Sequence, residues 1–143
     1  MEYKIEITSE INEDIVILAK EKSPLLFKLE ALLKADGEAL YGYGEKDILR
    51  LDKSNVYAFF VEAGKVYAKA ENEKLLVKER LYILEEKFSS DFIKINQSCL
   101  INVSKIERFR TTLGGALEVV LKNGFKDYIS RRQLKEVKER LGI

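Results

Sequence analysis

Apolar residues recur along this chain in two rhythms, and the switches between them mark its elements. Tyr3, Ile5 and Ile7 alternate with Lys4 and Glu6, the period of a half-buried strand. Residues 15–19 are a second apolar run bounded by charges, and polar residues 8–14 between the two read as a loop. The rhythm then becomes helical. Ser23 is placed to cap a helix whose first position is Pro24, and Leu25, Leu26, Leu29, Leu32 and Leu33 follow on one face until Asp36-Gly37.

From residue 39 the chain is mostly short strands and turns. Leu40, Tyr41 and Tyr43 lead into a turn at 44–47, and residues 48–51 return. After a turn at 52–55 come strands over 56–61 and 66–70 around a tip at 62–65, then a turn at 71–74 and a strand over 75–77. Residues 80–89 are expected as a helix with Leu81, Ile83, Leu84 and Phe88 on its buried side. Two short apolar runs follow, Phe92, Ile93 and Ile95, then Leu100, Ile101 and Val103, with polar Asn96-Gln97-Ser98 between them at a rim. Strands over 106–110, 116–121 and 125–129 come next. Asn123-Gly124 is the strongest hairpin signal, read as a type I′ turn. Ser130 opens a last helix through Leu134, Val137 and Leu141 that Gly142 ends. The expected class is α+β, predominantly antiparallel β with a few helices. A small strand-strand-helix segment over 1–38 precedes the main unit over 39–143.

Composition narrows the chemistry. With 143 residues, 46% hydrophobic and 34% charged, the chain has the profile of an ordinary globular protein. Without an apolar run of ~20 residues or a signal-peptide pattern at Met1-Glu2-Tyr3-Lys4, the expectation is a cytoplasmic protein with no membrane insertion. There is no histidine and one cysteine, Cys99, which removes Cys/His zinc sites and the usual His-paired nucleophiles. Cys99, beside Leu100, reads as a small buried hydrophobe. The glycines of Gly42-x-Gly44 and Gly114-Gly115 read as turn glycines, and the carboxylates of 85–86, 136 and 139 as helix surface. No catalytic residue, metal or cofactor is expected, and the chain is read as not an enzyme.

Net charge is only +1, yet its distribution is uneven. Residues 1–90 carry 14 Lys/Arg against 18 Asp/Glu, and residues 91–143 carry 11 against 6. Solvated helix faces can produce such an imbalance, so it points to nucleic acid only together with a site.

That site is suggested by two separated blocks. Phe92, Lys94, Ile95, Asn96, Gln97, Ser98, Leu100, Ile101, Asn102 and Ile106, followed by Ser130-Arg131-Arg132 and Leu134, resemble the LytTR family of bacterial DNA-binding domains. The resemblance extends over roughly residues 57–141. It implies a β-rich body that holds loops, rather than a recognition helix, against the major groove of double-stranded DNA. Asn96, Gln97 and Ser98, the helix start at Arg131 and Arg132, and a hairpin tip at Lys65 would face the duplex, with Ser130 and Asn102 as candidate phosphate contacts. Gln97 or Asn96 can form a paired hydrogen bond to adenine, and Arg131 to guanine. Ser98, Ser130 and Arg132 suit phosphate oxygens. Plainer readings stand beside these: Lys65 as a solvated charge, Asn102 as a turn residue bonding its own backbone, Ser130 as an ordinary cap.

Many family members carry His-Arg or Lys-like residues where this chain has Asn96-Gln97. The lower charge implies a shallower salt dependence. Neither Asp14 nor Asp36 ends an apolar strand preceded by an acidic pair, so no phospho-receiver is expected. With the resemblance, the reading is a transcriptional regulator binding a repeated site as a homodimer, with residues 1–38 as a dimerisation or regulatory element and a regulatory protein as a further partner. An alternative is a protein-interaction module that keeps the fold without DNA binding.

Overall fold

The structure is a computed structural model describing all 143 residues. Residues 1–22 form no helix or strand and are exposed throughout. Here the strands expected at 3–7 and 15–19 are absent. The alternation is present, but a strand needs a neighbour to take its N–H and C=O groups, and no other part of the single chain is paired with this segment.

Helix α1 (Pro24–Ala35) begins as expected. Ser23 caps it, its side chain accepting from the Leu26 N–H at 3.1 Å, and Pro24 sits in the first turn. It packs on α2 (Leu81–Lys87). The Lys87 ammonium ties the two together by donating to the carbonyls of Ala35, at 3.1 Å, and Glu38.

Strands β1 (Leu40–Tyr43), β2 (Ile48–Leu51), β3 (Ala58–Glu62), β4 (Lys65–Lys69), β5 (Lys74–Val77), β6 (Phe92–Asn96) and β7 (Cys99–Asn102) form one sheet in the order β2-β1-β5-β4-β3-β7-β6. All its pairs are antiparallel. A smaller sheet orders β10 (Lys126–Tyr128), β9 (Leu117–Leu121) and β8 (Ile106–Thr111). The expected α+β class, predominantly antiparallel, is what the chain adopts.

Alternation along β3 and β7 divides the core between the faces of the large sheet. Phe59 and Leu100 point to one side, into a cluster with Leu75, Leu84 and Phe92. There Phe59 lies 5.4 Å from Phe88 and 5.1 Å from Phe92, ring centre to ring centre. Ala58, Cys99 and Ile101 point to the other, against Val119 and Leu121 of the small sheet and Val137 of α3 (Arg131–Leu141). Burial, and secondarily the Asp127 carboxylate, pushes the Cys99 thiol well above its usual range, so it is an inert packing residue.

Two turns depart from expectation. Asn123-Gly124 is not type I′, because Gly124 alone has positive φ, at 89°, and its N–H returns to the Leu121 carbonyl at 2.9 Å. That is a type I turn followed by a left-handed glycine, a three-residue solution that frees Asn123 to bond the Ala70 carbonyl. The turn with two positive φ angles is Ala63-Gly64, at 51° and 75°, between the paired Glu62 and Lys65. Gly42 is not a turn glycine either. It lies inside β1, where an added Cβ would stand 2.7 Å from that of Leu75.

Candidate nucleic-acid interface

Three segments far apart in sequence meet at one end of the large sheet. β3 and β7 pair side by side, and just beyond their register the Val61 N–H donates to the Ser98 carbonyl at 2.9 Å. This sets the Ala63-Gly64 tip next to the turn between β6 and β7. On the far side of that turn, the Ser130 N–H donates to the Ile95 carbonyl at 2.8 Å, which fixes the start of α3 there.

Asn96 joins the second and third segments. Its side chain donates to the Tyr128 carbonyl at 2.9 Å and accepts from the Ser98 N–H at 2.9 Å, and only 3% of the residue is exposed. The expectation that all of Asn96-Gln97-Ser98 stands out at the rim is therefore corrected for Asn96. With both ends of its amide occupied inside the protein, it shapes the turn instead of presenting a base-reading group. Gln97 and Ser98 are exposed.

Asn102 receives the same correction. It is buried, donates to the carbonyls of Lys53 at 2.7 Å and Val56 at 2.9 Å, and accepts from the N–H and hydroxyl of Ser104. These four bonds satisfy the amide and anchor the connection between β2 and β3 to the end of β7. Tyr57 N–H and O, bonded to Lys69 and Asn102, place this anchor at the end of β3 away from the Ala63-Gly64 tip.

The cations of the site are unengaged within the chain. Arg131 and Arg132 are exposed in the first turn of α3, and neither they nor Lys65 enter any intramolecular ion pair. Glu62, which faces Lys65 across the hairpin, is bridged to Lys74 at 3.1 Å instead. Ser130 occupies the cap position of α3 but its hydroxyl makes no capping bond, so the first N–H groups of the helix lack that partner. Two arginines at the positive end of a helix dipole, with no acidic residue in that turn, are poorly placed for helix stability and well placed for an anion.

The sequence pattern carried a signal for the two anchoring asparagines. Asn96-Gln97-Ser98 and Asn102-Val103-Ser104 share the Asn-x-Ser spacing, and in both the asparagine oxygen accepts from the serine N–H two residues on. That is the Asx-turn, a local bond that such spacing permits in any fold. Tyr128, half exposed, bonds Asn96 through its carbonyl, a role that its place just before Ser130-Arg131-Arg132 in the sequence did not indicate.

Comparison with known proteins gives three findings. Residues 46–142 match the family model described as the LytTr DNA-binding domain. HTH-type transcriptional regulators of Staphylococcus aureus, named as uncharacterized, are 38% identical over 104 residues, which is 73% of this chain and 71% of theirs; those of strains COL and MRSA252 are two examples. Among solved structures, a LytTr DNA-binding domain from Bacillus cereus superposes with a TM-score of 0.65 at 17% identity, covering 75% of this chain and all of that one. The relatives' names mention a helix-turn-helix. In this chain no short turn joins two helices, since five strands separate α1 from α2 and five more separate α2 from α3.

Proposed function

This chain belongs to the LytTr DNA-binding domain family, and on that premise we propose that it regulates transcription by reading a repeated duplex site through loops laid into the major groove. The observation that carries the reading is the convergence of Lys65, Gln97, Ser98, Arg131 and Arg132 at one sheet end, with no internal partner for any of the cations. Such a cluster is held ready for an external polyanion.

Roles follow from chemistry. Gln97 offers a donor and an acceptor on one planar group, the pattern that pairs with adenine N7 and N6, and Arg131 offers the fork that pairs with guanine O6 and N7. Ser98, Ser130, Arg132 and the first N–H groups of α3 suit phosphate oxygens, which set orientation without reading sequence. Lys65 reaches the same polyanion from the hairpin tip. Asn96 positions these groups, tying the turn that carries Gln97 and Ser98 to the segment before α3. A site repeated at about one turn of DNA, ~10 base pairs, lets two copies bind the same face.

Selection of bound sequences from random duplex DNA tests this, run with the wild-type chain and with Arg131→Ala and Gln97→Ala. The expected outcome is a repeated motif in which each substitution relaxes preference at particular base pairs, at a cost of about 1–3 kcal/mol each. Absence of any enriched motif at low salt would sink the reading and leave a protein-interaction module in its place.

A further inference from the structure

The molecule's exposed large hydrophobic residues are concentrated in one stretch of the chain. Of 18 large hydrophobic side chains that stand exposed, 13 belong to residues 1–33, and the other five are scattered over the remaining 110 residues. On α1 the exposure has a pattern. Ala35 is buried, Leu32 is half buried and Lys28 lies over the Tyr82 ring at 5.9 Å, which defines the side turned to α2. Leu25, Leu29 and Leu33 recur every fourth residue on another side, and each remains about two-fifths exposed.

This stripe is self-complementary. About a two-fold axis through Leu29, an antiparallel copy sets Leu25 against Leu33 at both ends of the contact. Lys22 precedes the cap residue Ser23 and Asp36 is the C-cap, so an antiparallel copy brings these opposite charges to the same end of the contact, beyond the leucines. Neither enters an ion pair within the single chain. We infer that the α1 stripe and the arm before it form the interface between two copies of this chain, joined as an antiparallel helix pair centred on Leu29.

Area decides that the arm must take part. Full burial of a large aliphatic side chain removes roughly 60–120 Å² of apolar surface, so three leucines already half covered add only on the order of 100 Å² per copy. A stable interface needs ~800 Å² per partner. The nine exposed hydrophobics of residues 1–18 supply on the order of 600 Å² more. Because Lys87 clamps the end of α1 to α2, the helix pair also fixes the two DNA-facing ends relative to each other. The inference extends the repeated-site reading, yet its test needs no DNA.

Sedimentation of the full chain without DNA at micromolar concentration should show a dimer, and Leu29→Glu should weaken it at least about tenfold by setting two carboxylates face to face on the axis. Lys22→Asp alone should weaken the dimer, and Lys22→Asp with Asp36→Lys should restore it. Should Leu29→Glu disturb folding, single cysteines keep the question open to measurement, since wild-type Cys99 is buried and gives no background. With a short bis-maleimide, Leu29→Cys should cross-link to itself, while Leu25→Cys should cross-link only when mixed with Leu33→Cys. A monomeric wild-type chain, self-cross-linking of Leu25→Cys and Leu33→Cys, or a dimer indifferent to every α1 substitution would each overturn the inference. A dimer that selects no DNA motif would instead count against the DNA reading alone.

Discussion

At Asn96 the side chain uses both hydrogen-bonding ends inside the protein, while its neighbour Gln97 uses neither. In sequence both are uncharged amides in one polar triplet, and only the Asn-x-Ser spacing at Asn96 sets them apart. What separates them in the fold is which way each faces as β6 turns into β7, and that depends on Tyr128 arriving from 32 residues away. The difference is measurable. Asn96→Ala removes both bonds at a buried site and should cost about 1–3 kcal/mol in urea unfolding, with affinity falling evenly across DNA sequences. Gln97→Ala should leave stability within ~0.5 kcal/mol and change only base preference. If Asn96→Ala altered preference without altering stability, its assignment as a positioning residue would be wrong.

Elements with local signals were legible. The Ser23-Pro24 start of α1, the periodicity of the final helix with its left-handed Gly142 end, and the hairpin pattern of the body all follow from local signals. Turn type was less so, because side chains compete for the backbone. Asn123 bonds across to Ala70 and adopts negative φ, whereas Ala63, with no special chemistry, takes positive φ because the hairpin from β3 to β4 requires it. An alanine in the left-handed region costs roughly 1–2 kcal/mol. Ala63→Asn should recover about 1 kcal/mol and raise the melting temperature by about 3 °C, since asparagine before glycine suits a type I′ turn. Differential scanning calorimetry checks it, and a lowered melting temperature would contradict the turn geometry.

For the whole molecule, charge placement matters more than net charge. A chain of net charge +1 gathers its unpaired Lys65, Arg131 and Arg132 at one end while its acidic excess lies in residues 1–90. With few phosphate contacts, log affinity for DNA should fall with log salt at a slope of only about −2 to −3, and Lys65→Ala and Arg132→Ala should each flatten it by roughly one unit. Titrations at several salt concentrations measure this. An unchanged slope for Lys65→Ala would return that residue to being a solvated tip charge.

The sequence by itself determined the class of fold, the family to which the chain belongs and the segments that carry polar chemistry, because capping, period and motif are short-range properties written in neighbouring residues. Tertiary structure decided which of those polar groups remain available. Asn96 and Asn102 were drawn inward because strand ends and turns meeting there left backbone groups that needed partners. It also decided that the alternating residues 3–7 do not form a strand in a single chain. Periodicity states a capacity for pairing, and only the presence of a neighbouring strand turns it into structure.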